Sequence, residues 1–261
     1  MKKLVKVVLI GLIVLVIVAV LGVHFFLDGA IKRGVEIVGP KVTKTDVKLG
    51  SASLSLLSGS GKLTDLLVAN PEGYKSASAI QFGSTSLGVK TGSLLSDKII
   101  IKSINVQAPE LSCETDLKGN NLKKLLSNIE ETSGSSTSKG PAEPTDASAK
   151  ANKKLQVDEF VINGAKLHIS VDAPVIGQKT ATVTIPDIKL TSLGTGPEGI
   201  TAAELSRVVL KTLLSNAVEQ VEKTVADLAK GGQFMGKTAD TNTVNTIQKA
   251  TKGVGDLFKK K

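Results

Sequence analysis

His168, Cys113, the Gly59-Ser60-Gly61-Lys62 segment and the trio Glu110, Glu114 and Asp116 carry the residue types most suited to chemistry. His168 stands between Leu167 and Ile169, a strand-like setting, and the one other histidine, His24, lies at the end of an apolar run. No metal-ligand spacing links the two, so His168 reads as a solvent-face residue. Cys113 is the single cysteine, so no intramolecular disulfide can form, and it has no histidine nearby in sequence to raise its thiolate fraction. It reads as a small strand residue. Gly59-Ser60-Gly61-Lys62 looks like a fragment of a phosphate-binding loop. Leu63 follows the lysine where Ser or Thr is needed, and no glycine stands five residues before Gly61, so the segment reads as a turn. Glu110, Glu114 and Asp116 fall on alternating strand positions and read as a solvated face rather than an acid/base pair. The chain is therefore expected not to be an enzyme, with no catalytic residue, metal or cofactor.

The elements around these residues are mostly strands. Aromatic residues make up only 3% of the chain and Trp is absent, so a core must come from Leu, Ile, Val and Ala. Val47, Leu49, Leu54 and Leu56 sit at two-residue spacing with a phase slip near Gly50-Ser51, where a bulge is expected. Further strands are expected over Leu63 to Ala69, from Ile80-Gln81-Phe82 to Leu87-Gly88-Val89, over Lys98 to Val106, and at Leu111-Ser112-Cys113. Later strands fall around Val157, Phe160 and Ile162, then Leu167, Ile169 and Val171, then Ala181, Val183 and Ile185, then Ile188 and Leu190. Turn chemistry separates them, most clearly at Asn70-Pro71-Glu72-Gly73. One face of the sheet is apolar and the other is Ser, Thr and Lys, which predicts an antiparallel sheet with one dry face.

Helices are expected in three places in the body. Ile31 to Val38 ends at Gly39-Pro40, and Asn121 to Glu131 carries Leu122, Leu125, Leu126 and Ile129 on one side. Thr201-Ala202-Ala203-Glu204 has capping-box spacing and opens an amphipathic helix over residues 201–232. Residues 132–154 hold no large apolar side chain and read as a linker. The fold class is thus mainly β with flanking helices, α+β. Its segments are 28–131, the linker 132–154, 155–200, the helix 201–232 and a tail 233–261.

Val7 to Leu27 is a run of 21 residues without a formal charge. As a helix it spans about 31 Å, the thickness of a bilayer's hydrocarbon core. Lys2, Lys3 and Lys6 precede it and Asp28 follows, so residues 1–6 are expected in the cytoplasm and the body outside it. The run is longer than a signal-peptide core and shows no clean cleavage site, which favours an uncleaved anchor at 7–27. The chain carries a net +9, of which three lysines at each end supply all but +3. Basic ends on a nearly balanced body suit anionic lipid headgroups, and the missing basic stripe argues against nucleic acid.

The ordered string Ser53-Leu54-Ser55-Leu56-Leu57-Ser58-Gly59, then Leu63, Asp65-Leu66, Val68 and Asn70-Pro71-Glu72-Gly73-Tyr74, resembles the opening of AsmA-family proteins. The continuation through Phe82, Gly92-Ser93-Leu94-Leu95-Ser96-Asp97, Ile99-Ile100-Ile101-Lys102 and Ala108-Pro109-Glu110 is similar as well, as is a transmembrane helix running straight into the unit. The likeness covers about residues 1 to 115 and is looser from Leu155 to Leu214. AsmA-like proteins are often far longer. The resemblance implies a curved, U-shaped β-groove with an apolar lining, anchored in a bacterial inner membrane with its body in the periplasm. It implies a part in outer-membrane homeostasis and in binding or moving phospholipid. Nine or ten strands about 4.8 Å apart make a groove of roughly 40–50 Å, too short for one copy to bridge two membranes. Alternation and resemblance together nominate Leu54, Leu56, Phe82, Ile99, Ile101, Val183 and Ile185 as the groove lining. The alternative is a sheet closed by the C-terminal helix, acting as a structural or assembly factor through contacts with other envelope proteins.

Overall fold

The computed structural model describes residues 27–116, 119–134, 153–173 and 177–229. Helix α1 (27–43) leads into strands β1 (Val47–Leu54), β2 (Ser60–Ala69), β3 (Ser78–Val89), β4 (Lys98–Gln107) and β5 (Glu110–Thr115). Helix α2 (Asn121–Gly134) is followed by β6 (Lys154–Asn163), β7 (Lys166–Ala173), β8 (Gly177–Thr184), β9 (Ile188–Leu193) and helix α3 (Ala202–Ala229). The result is a mainly β, α+β fold. The expected anchor at 7–27 lies outside the described residues apart from Leu27, as do the tail and most of the linker. Among the described residues no helix is long and apolar enough to cross a membrane.

All nine strands join one sheet, built as six ribbons side by side in chain order. β1, β2 and β3 form the first three. β4 runs on into β5, β6 into β7, and β8 into β9, each pair making one longer ribbon. Neighbouring ribbons are antiparallel with one exception: β4 pairs with β6 and β5 with β7 in parallel. The sheet is therefore mixed, which corrects the expectation of an antiparallel one. The long return through α2 brings the chain back to the end where β4 begins, and Lys154 N–H donates to the Asp97 carbonyl there at 2.9 Å. A return of that length is what a parallel neighbour requires. The two β segments separated by 132–154 thus form one sheet and one core.

An irregularity crosses all six ribbons at the same register. It runs through Gly50, Asp65, Gly83, Ala108-Pro109, Gly164-Ala165 and Pro186-Asp187. Asp65, Ala108 and Gly164 have φ of 56°, 43° and 63°. Asp65 and Ala108 each bear a cost of about 1–2 kcal/mol there, which persists only where the surroundings require it. Across this seam the pleat changes phase, so β1 buries Val47 and Leu49 before it and Ala52 and Leu54 after it. A second, shorter seam passes through Lys102, Asp158 and Ser192, the last at φ 59°. Aligned bulges of this kind raise the local twist and curve the sheet around whatever covers its apolar face.

Helices cover that face. Leu122, Leu125 and Ile129 of α2 and Leu213, Leu214 and Ala217 of α3 are fully buried against strand residues such as Ile80, Leu111 and Leu167. Ion pairs Lys211–Glu130 (3.0 Å) and Lys123–Glu222 (2.8 Å) tie α3 antiparallel to α2. The capping box forms as expected: Glu204 N–H donates to Thr201 Oγ1 at 3.1 Å and Thr201 N–H to Glu204 Oε2 at 2.7 Å.

Helix α1 passes through Pro40 rather than stopping at Gly39-Pro40 as expected. One proline removes only its own N–H bond to the preceding turn, and the helix ladder resumes with Lys44 N–H donating to the Pro40 carbonyl at 2.9 Å. Gly39 lies so close to β1 that a Cβ there would sit 2.6 Å from Val47 Cβ. Along α1, Asp28, Lys32 and Glu36 recur every four residues and face the open edge of β1. Leu54 N–H donates to Asp28 Oδ1 (3.0 Å), Lys32 to the Gly50 carbonyl (3.3 Å), and Leu49 N–H to Glu36 Oε1 (3.2 Å). Side chains thus blunt a strand edge that would otherwise invite another chain.

Candidate functional site

The nominated lining residues divide into two groups. Phe82 and Ile185 are buried in the core that the helices cover, at 5% and 0% exposure, and Leu54 is buried at 4% outside that cluster. Ile99, Ile101 and Val183 are half-buried. Leu56 does not belong to β1. It lies in the turn that follows, because the strand closes at Leu54 and the chain reverses over 55–59.

Cross-strand register shows which neighbours they meet. Leu54 shares a row with Leu87, Ile104, Phe160 and Leu190. Ile101 shares one with Val89, Val157 and Leu193, and Ile99 pairs with Leu155. Val183 belongs to the row of Leu111 and Leu167, toward the other end of the strands. Leu87, Ile99, Ile101, Leu155, Leu190 and Leu193 are all half-buried and form an apolar patch toward the end of the sheet where α1 begins. Leu87, Leu155, Leu190 and Leu193 were not nominated from sequence, and Leu193 joins only because the bulge at Ser192 restores its phase.

The opposite end of the sheet is polar. Asn121, fully buried at the start of α2, donates to Asn70 Oδ1 (2.6 Å) and the Ser112 carbonyl (2.6 Å) and accepts from Glu114 N–H (2.9 Å). Glu114 in turn accepts the backbone N–H groups of Lys75 (2.8 Å) and Ser76 (2.6 Å). The Asn70–Tyr74 turn is thereby bolted to β5 and α2. Glu114 was expected on a solvated face, but it is a structural acceptor. Contacts between residues 38 and 51 apart in sequence decide this, and no local spacing announces them.

Burial pushes the Glu114 carboxyl up, but the hydrogen bonds from Ser76 and Lys75 outweigh it and hold the group below the usual carboxylate range. A lowered folded-state pKa stabilises the fold above the unfolded value, near 4.3, and that contribution is lost as pH falls through the folded-state pKa. Acid unfolding followed by circular dichroism should therefore show a shallower stability loss below pH 4.3 in Glu114→Gln than in the parent chain. Burial, with Glu114 adding to it, pushes the neighbouring Cys113 thiol up to about 12, so it stays protonated. His168 is half-buried on the polar face of the sheet, with Nδ1 3.1 Å from Thr182 Oγ1 and Nε2 3.8 Å from Glu110 Oε2.

The chain matches no family model, and no curated protein matches it significantly.

Proposed function

We propose that the chain is a membrane-anchored, non-catalytic protein of the bacterial envelope whose folded body acts as a closed module through its surfaces. The observation that supports closure is α3, whose Leu213, Leu214 and Ala217 fill the dry face of the sheet at 0% exposure. Each fully buried leucine stabilises this arrangement by about 1.5–3 kcal/mol, so an acyl chain would have to displace several such contacts at once. The uncharged run 7–27 after three lysines supports the anchor and the outward-facing body. The ordered resemblance to AsmA-family proteins supports the envelope setting.

A second reading is favoured by the half-buried apolar patch. In it, acyl chains enter between Leu87, Ile99, Ile101 and Leu193 while α3 shifts, and the protein binds or helps move phospholipid for outer-membrane homeostasis. Photocrosslinking separates the two. A photoreactive phenylalanine analogue placed at Ile101 of the full chain, irradiated in envelope membranes, should yield adducts to protein or to the chain itself if the module is closed. Phospholipid adducts at Ile101, lost when Leu193 is changed to Asp, would overturn the closed reading and establish the lipid one.

A further inference from the structure

Two exposed leucines stand out at one end of the sheet. Leu57 is 92% exposed and Leu95 is 96% exposed, the most exposed large apolar residues among those described. Each belongs to the same four-residue motif, Ser55-Leu56-Leu57-Ser58 in the β1–β2 turn and Ser93-Leu94-Leu95-Ser96 between β3 and β4. Neither is a loose tip. Gly59 N–H donates to the Ser55 carbonyl and Ser55 N–H to the Ser60 carbonyl, both at 2.8 Å, closing the first turn. In the second, buried Ser93 donates to the Lys90 carbonyl (2.6 Å) and accepts from Ile100 N–H (2.9 Å), while Lys153 donates to the Leu94 carbonyl at 2.6 Å. The two turns touch, with Val89 N–H donating to the Gly59 carbonyl at 2.7 Å. Hydrogen-bonded turns thus hold both leucines out into solvent at one end of the sheet.

The place where α1 begins names what they face. Helix α1 begins at this same end, where Asp28 accepts from Leu54 N–H at 3.0 Å, so the uncharged run 7–27 joins the body beside these turns. Lys62, Lys90, Lys98, Lys153 and Lys154 lie at this end together with Asp28, Asp97, Glu198 and Glu204. The opposite end, around the Asn70–Tyr74 turn, carries Glu72, Glu114, Asp116 and Asp172 beside Lys179 and Lys75, which pairs with Asp172 at 3.0 Å. Charges of both signs thus stand at each end, and the sheet is leucine-tipped where the apolar run joins it.

We infer that Leu57 and Leu95 insert into the interface of the bilayer that holds residues 7–27, seating the sheet end-on against the membrane with the Asn70–Tyr74 turn pointing away. The inference rests on the anchor in the proposed function but not on either reading of the apolar face. Leucines held out on hydrogen-bonded turns beside a membrane-spanning run are suited to this, since they add apolar burial at the interface to that of the anchor.

The test uses the full chain reconstituted into vesicles of phosphatidylcholine and phosphatidylglycerol. Leu57→Cys, Leu95→Cys and Glu72→Cys are each labelled with an environment-sensitive fluorophore, the native Cys113 being buried. The expected result is flotation of all three, with a blue shift and loss of fluorescence to doxyl-labelled lipid at 57 and 95 and neither at 72. Flotation with labels at 57 and 95 as wet and unquenched as at 72 overturns the inference and leaves the anchor standing. Failure to float overturns both. Labels shielded in detergent-solubilised chain but unquenched by lipid assign these turns to contacts between copies, which also overturns it.

Discussion

Shortening Leu213 to alanine should lower the stability of the folded body by about 3–5 kcal/mol, the upper part of the range for buried leucines. Leu213 is fully buried in the middle of α3, beside Leu214 and Ala217, and it packs into the single core that joins the helices to the sheet. Its removal deletes the transfer contribution of the lost atoms and leaves a cavity that a curved sheet pinned by two seams collapses poorly around. Val208, five residues earlier and 40% exposed, is the comparison. Val208→Ala should change stability by about 0.5 kcal/mol or less, as expected for an exposed site. Urea titration of both variants measures the difference, and equal midpoints would mean that α3 does not seal the sheet. The pair also bears on function. A closed module should lose activity in the envelope in step with its loss of stability. A lipid carrier whose α3 acts as a lid should gain phospholipid adducts at Ile101 as the lid loosens.

Asn121→Ala should cost about 2–4 kcal/mol, more than an ordinary buried hydrogen bond is worth. The side chain serves three partners at once, on Asn70, Ser112 and Glu114. Truncation leaves these groups unpaired where water reaches them poorly, and that desolvation penalty exceeds the net value of the bonds removed. Asn128, whose side chain donates to the Thr43 carbonyl at 3.0 Å, should cost about 1 kcal/mol when changed to alanine. Thermal unfolding of the two variants tests the ranking. Because Asn121 holds the β5 end against the Asn70–Tyr74 turn, its loss should also weaken the acid sensitivity carried by Glu114. A parent-like acid profile in Asn121→Ala would show that Glu114 keeps its backbone donors without it.

Local pattern was enough to place most elements. Strands β2 to β9, helix α2 and the capping box at Thr201 follow from alternation, helical spacing and turn residues, because each of these signals lies within a few neighbours along the chain. The phase slip at Gly50 was legible for the same reason. The break at Ala108-Pro109 was legible as turn chemistry, though the chain runs on there in the same ribbon, whereas the slips at Asp65 and Ser192 were not, since residues that adopt positive φ without being glycine carry little mark in sequence. Pro40 misled in the other direction, because the helix tolerates it once Gly39 lets the backbone rest on Val47.

Composition and order alone determined that this chain has an uncharged run long enough to span a bilayer, a mainly β body with one dry face, and a C-terminal helix with a stripe to bury. Tertiary structure decided the rest. It joined the two β segments in parallel, closed the dry face with α2 and α3, turned Glu114 and Asn121 into a bolt, and brought Leu57 and Leu95 together beside the start of α1. The physical reason is range. Periodicity reports which side of an element avoids water, but which surface it finds depends on contacts between residues tens of positions apart, and nothing local encodes them.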